Sequence, residues 1–221
     1  TEEAMMNGIN HYGYTGLELD VKTTSDGVCV CWHDDDLKRV GVDSTITIPT
    51  TTLQQLQTLT LQQTRKEITY TAHICTVEEY LAICQQYNVF PVVELKWGIG
   101  LNNNDMTLFP ALYALIEKHG LVEEAVILTS MRQSLEYIRT NYPQLQCQYL
   151  RQTVKDEDVQ WCHDWKANIS IQHANITPEL VNTCNELGVE VAAWTVNNDS
   201  TYQRLVDCGC AFVTTDYLEV K

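Results

Sequence analysis

The chain has 221 residues, of which 44% are hydrophobic, so it is long enough to form one large domain around a substantial core. Its 29 acidic and 14 basic side chains give a formal charge of -15, which excludes favourable long-range attraction to nucleic acids or anionic lipid surfaces. No apolar run approaches the roughly 18 residues of a membrane-spanning helix, and the first residues lack the features of a signal peptide. We expect a soluble single domain over residues 1–221, with no nucleic-acid partner and no transmembrane segment.

Nine cysteines are spread along the chain. A chain of this length does not need a disulfide framework. The pairs Cys29-Val-Cys31 and Cys208-Gly-Cys210 also lack the two-residue gap of zinc or redox motifs. We interpret most cysteines as small buried hydrophobic residues in a reducing compartment, which predicts a cytoplasmic location.

A helix and then an acidic strand are predicted at the start of the chain. From Glu2 to Tyr12, apolar residues recur at helical spacing. From Leu17 to Val21, apolar and acidic residues alternate, as expected for a strand. Because alternate side chains share a strand face, Glu18 and Asp20 point the same way.

A hairpin and an insertion follow this strand. The turn signal Ser25-Asp26-Gly27 predicts a hairpin whose return strand, Val28 to Trp32, ends at His33. From Gly41 to about Ala72 the composition changes to Thr and Gln. We interpret this part, the cap segment (residues 41–72), as an inserted lid and not as a layer of the core.

Beyond the cap segment, caps mark the start of several helices. Thr76 and Glu79 have the spacing of a capping box, and Thr177 precedes a proline at a predicted first helical position. Ser130 with Gln133 predicts a further cap. The pattern is one of alternating strands and helices.

Seven strands alternate with helices, near residues 17, 90, 126, 147, 169, 190 and 211. A closed βα barrel needs eight strands, and this sequence opens on a helix. We therefore predict a TIM-type (β/α)8 barrel with a small inserted cap, whose first strand is absent from the sequence as given. The alternative is an open doubly wound sheet.

Three carboxylates, Glu18, Asp20 and Glu94, fall at strand ends on the face where barrels carry their functional groups. At about 4 Å, each pair would repel by roughly 4 kcal/mol at an effective dielectric of 20. A divalent cation would remove this repulsion, and all-oxygen ligation favours Mg²⁺ or Ca²⁺ over zinc. From the spacing alone, a solvated face of an edge strand is the alternative.

Three further side chains are candidates for the site. His33 precedes the acidic run 34–36, which would raise its pKa and keep it available as a proton donor; the alternative is a surface histidine. Lys96 shares a strand face with Glu94 and could meet an anionic substrate group, or could be a solvated charge. Trp194 ends an apolar strand and is either core or a wall for the apolar part of a ligand.

The stretch GLELDVKTTSDGVCVCWHDDDLKR, residues 16–39, closely resembles the glycerophosphodiester phosphodiesterases. Their pattern has a Glu-x-Asp strand, a Thr-x-Asp-Gly turn, and a His-Asp followed by Leu and Arg. The resemblance continues in the same order through Thr76-Val-Glu-Glu79, Val93-Glu-Leu-Lys96, Trp194-Thr-Val-Asn197 and Thr215-Asp216. It covers nearly the whole chain.

The resemblance implies a barrel hydrolase of lipid and glycerol metabolism, which cuts small-molecule glycerophosphodiesters to glycerol 3-phosphate and an alcohol with a divalent cation. By motif position, the metal ligands are Glu18, Asp20 and Glu94, and His33 is one of two catalytic histidines. Lys96 corresponds to a contact on the phosphate side, and Trp194 to an apolar clamp on the glycerol. Contacts to the leaving alcohol are expected from loops such as Trp97 to Asp105.

The family's other histidine belongs to a first strand that ends in His-Arg-Gly, and Thr1 corresponds to the position just after it. His11 does not substitute for it, since it lies within the first predicted helix. Losing one member of an acid–base pair costs on the order of 10²- to 10⁴-fold in rate, so we expect the chain as given to be weak or inactive. Two other functions stay open at this point: a barrel glycosidase using Glu18 and Glu94, and a non-catalytic ligand-binding barrel.

Overall fold

Parallel strands and helices alternate through most of the computed structural model, which describes residues 1–65, 67–96 and 105–219. The strands are β1 (Gly16–Thr23), β2 (Cys29–Cys31), β3 (Leu61–Arg65), β4 (Ile68–Ala72), β5 (Phe90–Glu94), β6 (Val126–Thr129), β7 (Gln146–Arg151), β8 (Asn168–Gln172), β9 (Val191–Trp194) and β10 (Phe212–Val213). The helices are α1 (Glu2–Asn10), α2 (Leu53–Gln57), α3 (Val77–Tyr87), α4 (Phe109–Lys118), α5 (Arg132–Asn141), α6 (Asp156–Trp165), α7 (Pro178–Glu186) and α8 (Asp199–Asp207). Within the described ranges, no helix is both long and apolar enough to span a bilayer.

The main sheet has the strand order β10-β9-β8-β7-β6-β5-β1-β2. All its pairs are parallel except the hairpin between β1 and β2. Each successive parallel strand adds to the same edge, so the sheet curls as part of a barrel and lacks the reversal of strand order that defines a doubly wound sheet. The barrel prediction is confirmed, and the parallel strands are the seven that the sequence predicts.

The pairing of β1 with β5 sets the register of the site. Gly16 lies opposite Phe90, and an added Cβ at Gly16 would be 2.4 Å from Phe90 Cζ, so only glycine permits this approach. The same register places Asp20 opposite Glu94. The apolar residues between the acids of β1 are buried under the helices, as strand alternation requires.

Two of the three predicted helix caps are present in the structure. Thr76 Oγ1 accepts from Glu79 N at 3.2 Å, and Glu79 Oε2 accepts from Thr76 N at 2.8 Å, which confirms the capping box of α3. Thr177 caps α7 as predicted. The cap predicted at Ser130 is wrong, because the residue before α5 is Met131, whose extended backbone carries no side-chain cap bond.

The cap segment has a small apolar cluster of its own. Its residues form α2 and the antiparallel hairpin of β3 and β4. Ile48, Leu56 and Leu61 are buried there and pack with Val30 and Ile74 from outside the segment. This cluster is separate from the main core between the sheet and the helices, so the cap segment adds a second, smaller layer at one end of the barrel.

Tyr80 ties α3 to the two strands that carry the acidic residues. Its side chain is fully buried, and its hydroxyl donates to Leu17 O of β1 at 2.6 Å. The same hydroxyl accepts from Val92 N of β5 at 3.0 Å. One side chain therefore connects the backbones of both strands.

We predict that Tyr80→Phe lowers the free energy of unfolding by about 1–3 kcal/mol, because it leaves buried backbone groups without partners. Urea unfolding followed by circular dichroism measures the change. Tyr87→Phe is the matched control, since Tyr87 lies on the same helix but is 37% exposed. Equal stability of Tyr80→Phe and the parent protein would contradict the assigned role.

Candidate active site

Three acidic side chains meet at the carboxyl ends of β1 and β5. Glu18 and Asp20 lie on one face of β1, and Glu94 ends β5 in register with Asp20. One oxygen of each carboxylate lies within 4.8 Å of an oxygen of the others. The structure therefore brings together the three residues that the sequence selects as metal ligands.

The surroundings of Asp20 suit a cation. Lys96 Nζ lies 3.0 Å from Asp20 Oδ1, as expected from its place on the face of Glu94. The direction of this contact does not make a hydrogen bond, and among the described residues the buried Oδ1 atom has no hydrogen-bond partner. This ion pair supplies one positive charge to a cluster of three carboxylates. The remaining negative charge and the all-oxygen donor set fit a hard divalent ion such as Mg²⁺ or Ca²⁺.

Burial and crowding raise the pKa values of Glu18 and Glu94. Burial, followed by the charges of Asp20 and Glu94, raises the pKa of Glu18 to about 8, although its side chain is exposed to the adjoining cavity. Burial and the charge of Asp20 raise the pKa of Glu94 to about 7, against the opposing charges of Lys96 and His33. Without a cation, the site therefore disfavours its fully ionised form.

His33 follows β2 and is held by an acidic neighbour. Its Nδ1 lies 2.7 Å from Asp34 Oδ1, and Arg39 Nε donates to Asp34 Oδ2 at 2.6 Å. Burial acts to raise the pKa of Asp34, but the bonds from His33 and Arg39 prevail and lower it. Trp32 N donates to Asp20 O at 2.9 Å, so the backbone that carries His33 is anchored beside the acidic cluster. Because Nδ1 contacts Asp34, proton transfer would use Nε2.

Two of the motif stretches meet at the end of the sheet. Asn197 Nδ2 donates to Asp216 Oδ2 at 2.7 Å, and Asn197 Oδ1 accepts from Asp216 N at 3.0 Å. The charge of Asp216 also contributes to raising the pKa of Glu18. Neither residue is among those predicted to be functional, although both follow strands, β9 and β10, at the carboxyl ends of the barrel strands.

Trp194 lies half-buried at the end of β9. Its indole Nε1 is buried and has no hydrogen-bond partner within the part of the chain that the structure describes. The side chain is not among those that line the large cavity beside the acidic cluster. Most of the loop from Trp97 to Asp105, expected to contact the leaving alcohol, lies outside the described residues.

A cavity of about 700 Å³ separates β1 from β10. Its walls include Glu18, Asp20, His33 and Asp216, together with residues of α1. Carboxylates of the acidic cluster and the His33 imidazole thus face one space large enough for a small ligand. A curled parallel sheet with an acidic cluster at the carboxyl ends of its strands is the arrangement found in barrel enzymes.

Comparison with known proteins identifies the family. A sequence model of the glycerophosphoryl diester phosphodiesterase family matches residues 1–220. A glycerophosphodiester phosphodiesterase of Caldanaerobacter subterraneus is 26% identical over 209 residues, covering 92% of this chain and 83% of the relative. Glycerophosphodiester phosphodiesterase 1 of Mus musculus is 25% identical over 244 residues, covering 94% of this chain and 71% of the relative.

Solved structures show the same fold. A phosphodiesterase of Oleispira antarctica, in complex with the product sn-glycerol-3-phosphate, has a TM-score of 0.80 and 19% identity, covering 98% of this chain and 86% of its own. A glycerophosphodiester phosphodiesterase of Thermotoga maritima has a TM-score of 0.73 and 20% identity, covering 98% and 87%. The chain belongs to the glycerophosphoryl diester phosphodiesterase family, which makes it a hydrolase of glycerophosphodiesters and confirms the resemblance seen in its motifs.

We predict that the metal-free protein loses stability as the pH rises. The folded-state pKa values of Glu18 and Glu94 lie above the ordinary value of 4.5, so the folded state binds more protons than the unfolded state between that value and about pH 8. Stability contributed by these groups is greatest at the acidic end and falls through this window. Glu18→Gln removes one charge and should be increasingly more stable than the parent toward pH 8, measured by thermal unfolding in chelator.

Glu124→Gln is the control for this experiment. Glu124 is an exposed carboxylate that precedes β6, away from the carboxyl ends of the strands where the acidic cluster lies. Its stability relative to the parent should show no comparable pH dependence. A parent protein that gains stability over Glu18→Gln as the pH rises would show that the acids are not crowded as described.

Proposed function

We propose that the acidic cluster holds one divalent cation, Mg²⁺ or Ca²⁺, and that this site hydrolyses glycerophosphodiesters to glycerol 3-phosphate and an alcohol. The observation that supports this most is the meeting of Glu18, Asp20 and Glu94, whose carboxylate oxygens lie within 4.8 Å of one another. When bound, the cation would supply charge stabilisation to the phosphoryl oxygens.

The remaining roles follow from the positions of the neighbouring side chains. Lys96, which lies 3.0 Å from Asp20, would attract a non-bridging oxygen of the phosphodiester. His33 would deliver a proton from Nε2 to the departing alkoxide. Asp34 and Arg39 would hold its imidazole in the required orientation and tautomer. By motif position, Trp194 would pack against the apolar part of the glycerol, although its side chain does not line the cavity between β1 and β10.

An acid–base pair needs a second group that transfers protons. In the family pattern this group is a histidine of the His-Arg-Gly strand, which would precede the position of Thr1. The cavity between β1 and β10 borders Glu18 and His33, so a strand lying there would bring such a histidine to the same site. The proposed mechanism therefore pairs His33 with a second proton-transfer group, which the family resemblance identifies as a histidine.

The alternatives receive less support. A glycosidase that uses Glu18 and Glu94 would require its carboxyl groups about 5–9.5 Å apart across a sugar, with no shared ion. The oxygens of this cluster approach more closely than that, and a third carboxylate joins them. A non-catalytic barrel does not agree with the enzyme family to which the chain belongs. We also propose a cytoplasmic location, supported by nine cysteines that are all free thiols.

We predict that chelation abolishes the hydrolysis of glycerophosphocholine by the whole protein, because the acids cannot stabilise the phosphoryl charge without an ion. Adding Mg²⁺ or Ca²⁺ back should restore activity, measured by the release of glycerol 3-phosphate. Glu94→Gln should raise the metal concentration needed for half-maximal rate at least tenfold, whereas Glu124→Gln should not change it. Full activity in excess chelator would refute the metal site.

We predict that His33→Gln in the whole protein lowers kcat by about 10²- to 10⁴-fold, the range expected when a general acid is removed. The folded structure and the metal affinity should be preserved, because His33 is exposed and is not a proposed ligand. His163→Gln is the control, since His163 is also exposed but contacts Leu187 O on the outer helices. An unchanged kcat in His33→Gln would assign the proton transfer to another group.

A further inference from the structure

Two cysteines lie opposite each other where the barrel meets the cap segment. Cys31 ends β2, and Cys75 lies between the cap segment and α3. Val30 and Thr76 form an antiparallel bridge, so their neighbours Cys31 and Cys75 are directly opposite in the same register. A hydrogen bond from Cys31 N to Cys75 O, 2.8 Å long, holds this pairing.

The side chains of the pair also converge. Both thiols contact the same carbonyl oxygen, Thr76 O, with Sγ distances of 3.6 Å from Cys31 and 3.4 Å from Cys75. Opposite residues of an antiparallel pair have Cα atoms about 4.5–5.5 Å apart, which falls within the range of about 4.4–6.8 Å that a disulfide spans. The backbone would need little movement to accept a bond between the two sulfurs.

We propose that Cys31 and Cys75 form a peroxide-sensitive pair, which oxidises to a disulfide that ties β2 to the segment before α3. The Cys75 thiolate attacks the peroxide, forming a sulfenic acid and releasing hydroxide. The Cys31 sulfur then attacks the Cys75 sulfur, and the sulfenic oxygen leaves as water. Two thiols and one hydrogen peroxide thus give one disulfide and two water molecules, so the thiols lose two electrons and the peroxide gains them.

Access and reactivity agree with this order of attack. Both cysteines line the cavity beside the acidic cluster, so a molecule as small as a peroxide can reach them although Cys75 is buried. A hydrogen bond between the Cys31 and Cys75 side chains lowers the pKa of the Cys75 thiol and raises the pKa of the Cys31 thiol. The thiolate is the nucleophilic form of cysteine, which makes Cys75 the attacking residue and Cys31 the resolving one.

The bond would close a loop that contains the whole cap segment. Residues 31 and 75 flank the cap segment on either side, so a link between them restrains its ends in the unfolded state as well as in the folded state. The oxidised protein should therefore unfold at a higher temperature than the reduced protein. His33 lies two residues after Cys31, which places this oxidisable pair next to the proposed proton carrier.

To test this, the folded whole protein is treated with hydrogen peroxide, and its remaining free thiols are then blocked with an alkylating reagent. The peptides of the protein are mapped by mass spectrometry without reduction. We expect one cross-linked peptide pair joining Cys31 to Cys75, which dithiothreitol converts back to free thiols. The midpoint of thermal unfolding should rise by several degrees in the oxidised protein and return on reduction. Recovery of both cysteines as alkylated thiols, or as sulfinic or sulfonic acids without a cross-link, would overturn the proposal.

Matched variants separate this pair from the other cysteines. Cys75→Ser should abolish both the cross-link and the thermal shift. Cys29→Ser should retain both, because Cys29 occupies the same strand but lies opposite Thr23 in β1. If Cys75→Ser does not fold, the peptide map of the parent protein still decides the question. A thermal shift that persists in Cys75→Ser would assign the effect to another oxidation and refute the proposal.

Discussion

The mutual repulsion of Glu18, Asp20 and Glu94 is the constraint on which the rest of the site depends. Two adjacent parallel strands in fixed register hold the three carboxylates close together, and burial weakens the screening that water would provide. Two processes can relieve this repulsion: proton uptake, which the raised pKa values of Glu18 and Glu94 favour, and the proposed binding of a cation. The register of β1 and β5 therefore holds the three carboxylates together despite their mutual repulsion.

Several contacts hold the acidic cluster in position. The Tyr80 hydroxyl bonds to the backbones of both β1 and β5. Trp32 N donates to Asp20 O, which holds the His33 region at the end of β1. The cap segment adds its own buried cluster next to the same hairpin. The opposed cysteines lie at the junction of these parts. Oxidation there would change how firmly the cap segment and β2 are joined, without altering the acidic ligands themselves.

Sequence patterns predicted the structure correctly where the geometry depends on residues close together in the chain. The capping box at Thr76 and the alternation that aligns Glu18 with Asp20 depend only on nearby backbone geometry, and the structure agrees with both. Ser130 shows the limit of such signals, because the backbone after β6 begins its helix one residue later than the cap pattern suggests. The contact between Asn197 and Asp216 also had no local signature, since it joins the ends of two different strands.

The amino-acid sequence was sufficient to predict the alternation of seven strands with helices, the shared face of the acidic pair, the family motifs and the candidate residues. These features depend on side-chain periodicity and turn chemistry, which act over a few residues. The folded structure was needed to show that Glu94 reaches Asp20, that Lys96 lies beside Asp20, that Asp216 approaches Glu18, and that Cys31 faces Cys75. Those distances are set by strand register and by the curvature of the sheet, and both arise from packing between segments far apart in the chain.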